Sequence, residues 1–365
     1  MKLRSLNSVW LLLFLVVVAV FIGCEGSDGP AGAVGDEGER GNPGSDWTIE
    51  PPLDRIFGLA VFNGRTDAHN GNATLLLTSD TTSDLDGHTV IMTRVNRAPV
   101  IDGIDDGDDV WGDYLANLEL DRTGLRDNYI FSADMRAAYD EDYVYFMVRW
   151  TEVANGSASV GENDEWRTWS YDGDDWSRNS AYDDRVSFLW LIKGAFEDVV
   201  DWNTDGCRIA CHANQTQGMF TLTDTTKIDS WVWGSVISNP IGFAIDAQIG
   251  VQLPGDVTGF RQDVGERIYL ENVYTTEDPD TVRPAFQHKE DPNSNASYPM
   301  WSWEITGFDI SDRDWAAGAS VPGIVTNYPS SSAADILAKG HYDNGTWTVE
   351  LRRVRVTDNS DDVEF

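Results

Sequence analysis

From Trp47 onward the apolar residues fall in short runs, several of which alternate with polar neighbours. Gly58–Phe62, Thr89–Met92, Tyr143–Trp150, Val186–Ile192 and Thr346–Leu351 are rich in β-branched and aromatic side chains, and Gly, Asn and Asp clusters separate them. A strand sends successive side chains to opposite faces and favours these residue types, while the intervening residues supply turns. No long stretch repeats at the 3.6-residue spacing of an amphipathic helix. The pattern predicts an all-β chain: an antiparallel β-sandwich with short helices and long loops, in which residues 47–97 form N-terminal strands of the sandwich. Asn155–Tyr182 and Pro254–Pro299 read as loops long enough to carry function or partner contacts.

The first residues follow a different pattern. Lys2 and Arg4 precede an uncharged apolar run from Val9 to Gly23, as in an export signal covering residues 1–23. At about fifteen residues the run is short for a bilayer span. Cys24 directly follows Ile22-Gly23 and resembles a bacterial lipobox cysteine, which implies lipidation there and a mature chain beginning at Cys24. An uncleaved anchor helix is the alternative. Both readings place the rest of the chain outside the cytoplasm, in the periplasm or at the cell surface, tied to a membrane. Glycine then recurs at Gly26, Gly29, Gly32, Gly35, Gly38, Gly41 and Gly44, the period of a collagen triple helix. With only Pro30 and Pro43 in the repeat, residues 24–46 are expected to act as an extended tether, with trimerisation as the alternative.

Charge narrows the choice of partner. The chain has 61 acidic and 26 basic side chains, a net charge of -35, and such a field repels nucleic acid while favouring a basic protein patch. With 41% hydrophobic residues and 15 Trp the chain can bury a large core, and 3 Cys are too few for a disulfide framework. Asp102, Asp105, Asp106, Asp108 and Asp109 form one acidic group, and Asp172, Asp174 and Asp175 another. Neither has the spacing of a known calcium loop, so both read as solvated turns. Nucleophile elbow, phosphate loop and dinucleotide fingerprint are all missing, which favours a non-enzymatic role.

One constellation carries specific chemistry. Cys207-Arg208-Ile209-Ala210-Cys211-His212 is one residue longer than the Cys-x-x-Cys-His pattern of covalent haem attachment, in which two thiols form thioethers and the adjacent imidazole ligates iron. A small-loop disulfide or a metal site using both thiolates and His212 are the other fates of these residues. An electron-transferring haem needs a second axial ligand. Met219 follows His212 by seven residues and would supply a potential-raising thioether, or would simply fill the core. Lys339, His341 and Met300 are further candidates. Trp231 and Trp233, two apart in a strand-like run, suit either haem packing or core packing.

Taken together, these segments resemble the haem-binding domain family related to the gamma subunit of ethylbenzene dehydrogenase and similar molybdenum enzymes. The resemblance starts at Ala98-Pro99-Val100-Ile101-Asp102-Gly103 and Trp111, a start shared with family 9 carbohydrate-binding modules. It continues through Arg136–Phe146, Arg149-Trp150, Asp183-Asp184-Arg185-Val186, the Cys-His segment, Met219 and Asp229-Ser230-Trp231-Val232-Trp233. It ends with Val321-Pro322-Gly323, Gly345–Val349, Arg352-Arg353 and Asp361–Phe365. The resemblance implies a β-sandwich domain over 98–365 holding one covalent haem c, attached through Cys207 and Cys211, with His212 as proximal ligand. Members with non-covalent haem use a Met and a Lys; Met219 falls where the family Met does, and Lys339 lies near the region supplying the Lys. The extra residue between the cysteines departs from the family pattern, and a further strand or two is expected after Phe365. The expected function is that of an exported, lipid-anchored monohaem c-type cytochrome exchanging electrons with a redox partner. The alternatives are a haem-free carbohydrate-binding surface lipoprotein and a haem subunit of a molybdenum dehydrogenase.

Overall fold

The computed structural model describes residues 53–62, 71–122, 130–151, 168–178, 184–199, 219–256, 259–274, 283–290, 300–309 and 315–365. The expected export signal, Cys24, the glycine repeat, Cys207, Cys211 and His212 all lie outside these residues.

The first strands are β1 (Asp54–Phe62), β2 (Gly71–Thr78), β3 (Thr89–Arg94), β4 (Ala116–Arg122), β5 (Ile130–Tyr139) and β6 (Tyr143–Thr151). Next come β7 (Thr168–Tyr171), β8 (Trp176–Arg178), β9 (Arg185–Lys193), β10 (Lys227–Gly234), β11 (Ile245–Ile249) and β12 (Phe260–Gln262). Six pieces of two or three residues follow: β13 (Tyr269–Glu271), β14 (Phe286–His288), β15 (Met300–Trp301), β16 (Ile305–Gly307), β17 (Ser320–Pro322) and β18 (Ile324–Thr326). The long hairpin of β19 (Leu337–Asp343) and β20 (Thr346–Val354) completes the set.

One 12-stranded sheet runs β12-β11-β10-β9-β1-β2-β3-β5-β6-β20-β19, with β4 paired to β2 and β5. Its pairs are antiparallel except around β3, which runs parallel to both β2 and β5. The sheet turns back on itself. Phe146 of β6 lies five strand positions from β9, yet its ring packs 5.5 Å from Phe188 and 5.2 Å from Trp190, both on β9. Two layers therefore face each other across a single core, the packing of a β-sandwich. At its far edge, β19 hydrogen-bonds the segment entering β11 through the Phe243–Leu337 bridge.

Alternation explains which residues fill that core. Val186, Phe188 and Trp190 of β9 point inward with Phe57, Leu59 and Val61 of β1, while Leu189 and Ala60 point outward. Trp231, Trp233 and Trp347 are completely buried in the same interior, and burying rings of this size contributes a large share of the driving force.

The two stretches expected as loops are not bare. The first contains β7 and β8; the second contains β12, β13 and β14. Trp169 of β7 is fully buried and its indole N–H donates to the Asn272 carbonyl at 2.6 Å. Trp176 of β8 packs edge-on against Phe308 and Trp315, so a small satellite core holds these pieces. Among the described residues no helix is long and apolar enough to cross a membrane.

Candidate functional site

The Cys-His segment joins β9 to β10, and both of its described ends are fixed. On one side a 3-10 turn at Phe196–Asp198 leads to Val199. On the other, Met219 and Phe220 lead to Thr221, which bridges Val199. The Leu222 N–H donates to the Asp198 carbonyl at 2.8 Å, and the Thr226 hydroxyl donates to Asp198 Oδ2 at 2.8 Å. Val199 and Thr221, on either side of residues 200–218 in sequence, are thus neighbours in the fold.

Those ends stand on an apolar outer patch. Ala60 of β1, Leu189 of β9, Ile228 of β10 and Ile249 of β11 form its floor, and Phe196, Val199 and Met219 complete it. Met219 is fully buried there. Its carbonyl accepts the Gly259 N–H at 2.8 Å, and the Gly250 carbonyl accepts the Thr221 N–H at 3.0 Å. Gly259 has no room for a side chain, because a Cβ would overlap the Gly250 carbonyl oxygen and Phe220. Close backbone approach holds Met219 in place.

The other candidates lie elsewhere. Trp231 and Trp233 face the inner core, on the side of β10 opposite Ile228. Trp231 packs 5.2 Å from Trp190, and Trp233 packs 5.1 Å from Trp347 while donating its N–H to Asn239 at 3.2 Å. On β19, Ala338 belongs to the core and Gly340 abuts Trp233, so Lys339 and His341 occupy the opposite face of the strand. Lys339 is half-buried and donates to the Asn239 carbonyl at 3.2 Å. Met300 is buried on β15, and its carbonyl accepts the Thr326 hydroxyl. The fold thus sets Met219 apart from the two Trp and from Lys339 in its packing, and Met219 alone adjoins the Cys-His segment in sequence.

Several acidic and basic pieces of the sequence pattern serve the scaffold. Asp108 stays exposed but pairs with buried Arg136 at 2.7 Å, which ties this acidic turn to β5. The Asp172 carboxylate accepts the Asp174 and Asp175 N–H groups and closes a turn. Asp184, buried before β9, accepts the Trp347 indole N–H at 3.2 Å.

A buried ionic group was not foreseen. Arg353 of β20, with no exposed surface, donates to Asp229 of β10 at 3.2 Å, pairs with Asp362 at 2.8 Å, and lies 5.1 Å over the Trp231 ring. Burial works to lower the Arg353 pKa, but Asp229, Asp362 and Asp246 together hold it above its usual value. Burial pushes the Asp229 and Asp246 carboxyls upward. The fragments Asp229-Ser230-Trp231, Arg352-Arg353 and Asp361-Asp362 are visible in the sequence, but Asp229 lies more than a hundred residues from both of the others. Nothing local points to Asp246.

An all-β sandwich carries the apolar cluster of Met219, Leu189, Ile228 and Ile249 on the side of β9 and β10 away from the main core. The chain belongs to the ethylbenzene dehydrogenase family, whose family model matches residues 130–365, from β5 to Phe365. The Ala98–Trp111 segment lies before this match. No curated protein matches the chain.

Proposed function

We propose that this chain is an electron-transfer member of the ethylbenzene dehydrogenase family, an exported lipoprotein carrying one covalent haem c. The observation that carries the reading is the bridged pair Val199 and Thr221, which flanks the Cys207–His212 stretch in sequence, with Val199 in one apolar cluster with buried Met219. Two thiols and an imidazole in one short segment, with a thioether seven residues further along the chain, form a donor set that fits haem c. In this reading Cys207 and Cys211 anchor the group, His212 is the proximal ligand and Met219 the distal one; Lys339 and His341, on another face, are weaker candidates. When bound, the group supplies reversible one-electron chemistry. The patch of Leu189, Ile228 and Ile249 would exclude water from the Met219 side.

The family match favours a second reading within the same chemistry, in which the chain is a non-catalytic subunit of an oxidoreductase assembly. Copurification with a large catalytic subunit from the native membrane separates this reading from a free carrier.

The test is expression of the full chain with covalent haem-attachment machinery. The expected result is a Soret band and an intact mass raised by one haem, both lost in the Cys207→Ala, Cys211→Ala double variant. Met219→Ala is expected to keep the mass, lower the reduction potential and lose the long-wavelength charge-transfer band of Met-ligated iron. A wild-type mass without haem would end the proposal, and an unchanged potential in Met219→Ala would remove Met219 as ligand.

A further inference from the structure

The Arg353 group is charge-imbalanced. Three carboxylates, Asp229, Asp246 and Asp362, surround one guanidinium, and all four side chains are buried. Ionised, they leave two negative charges inside the sandwich, and uncompensated buried charge is costly.

The distribution of hydrogen bonds shows where compensation is missing. Asp229 Oδ2 accepts from Arg353 and from the Val363 N–H at 2.9 Å. Asp362 Oδ2 pairs with Arg353 and accepts from Asn359 at 3.2 Å. Asp229 Oδ1, Asp362 Oδ1 and both oxygens of Asp246 are buried without a hydrogen-bond partner, as is Arg353 Nε. Asp246 is only 1% exposed, and no donor reaches either of its oxygens. One carboxylate oxygen from each of the three residues lies within 4.8 Å of the others.

We infer that Asp229, Asp246 and Asp362 form a structural site for a hard divalent cation, calcium by preference. Calcium takes oxygen ligands at about 2.3–2.6 Å, so oxygens around one ion lie up to roughly 5 Å apart, and three carboxylate oxygens within 4.8 Å of one another can share it. A divalent charge also matches the excess of carboxylates over guanidinium. Magnesium, smaller and reluctant to lose water, suits a dry carboxylate cluster less well. Asp229 lies on β10, Asp246 on β11, and Asp362 in the segment after β20, so the ion would join one edge of the sheet to the carboxy-terminal segment.

This site is independent of haem, and its test does not use the haem spectrum. Metal content of the purified full-length protein is measured by inductively coupled plasma mass spectrometry, and thermal midpoints are compared in EGTA and in excess calcium chloride. The expected result is about one calcium per chain and a midpoint several degrees higher with calcium. Asp246→Asn should lose both the bound calcium and the calcium-dependent rise, and in EGTA it should be at least as stable as wild type, since a buried charge has been removed. Absence of a divalent metal together with superimposed melting curves would overturn the inference, as would an Asp246→Asn variant that binds calcium like wild type. Should that variant fail to fold, anomalous diffraction from wild-type crystals grown with calcium decides: a peak between the three carboxylates supports the site, and an empty map there refutes it.

Discussion

Glu350 is the buried acid whose effect is easiest to isolate. It lies on β20 between inward-facing Val349 and Leu351 and is buried on the opposite face, where its Oε2 accepts the Asp102 and Gly103 N–H groups at 3.0 and 2.8 Å. It thereby ties the segment after β3 to the back of the sheet. Burial pushes its pKa from 4.5 up to about 8, more than the two N–H donors restore. An unfolded chain releases this proton near 4.5, whereas the folded chain keeps it to about 8. The folded state binds more protons in that window, so stability falls as pH rises through it. Glu350→Gln keeps an oxygen for the two N–H groups and cannot ionise. Its thermal midpoint is expected to fall less than that of wild type across the window, and parallel curves would rule out Glu350 as the source.

At the level of elements, β19 shows how tightly two strands must meet. A Cβ on Gly340 would overlap the Trp233 ring, coming within 2.9 Å of its Cη2, and Trp233 is held between Trp150 and Trp347. Gly340→Ala is therefore expected to destabilise the protein by about 1–3 kcal/mol, the usual cost of overpacking, read by chemical denaturation. A midpoint within error of wild type would mean that the ring has room to shift. The long strands were legible because each repeats its pattern: Tyr143–Trp150 and Val186–Ile192 match β6 and β9 to within a residue at either end. β7, β8 and β12 to β14 were not, because three or four residues hold too little periodicity, and here distant Trp contacts decide. The parallel setting of β3 was equally hidden, since its own residues read the same in either direction. The Cys-His segment was legible as pure local spacing, and the Arg353 group was not, because only the fold brings β10, β11 and the end of the chain together.

Across the whole molecule the charge of -35 sets the long-range behaviour. Such a field speeds encounter with a basic partner and is screened over about 8 Å at physiological ionic strength. In stopped-flow mixing with a basic redox protein, the second-order rate of electron exchange is expected to fall about tenfold or more from low to high salt. A rate indifferent to salt would argue against a basic partner. The pairing of β1 with β9, which sets Phe57 opposite Trp190, bears on how this chain comes into being. Made with its amino end leading, the polypeptide presents β1 long before β9 is available, and such distant pairing is slow. For that interval one side of β1 is an open, sticky border. Until the later half arrives that border can pair with another chain, so aggregation competes with folding most strongly in this interval.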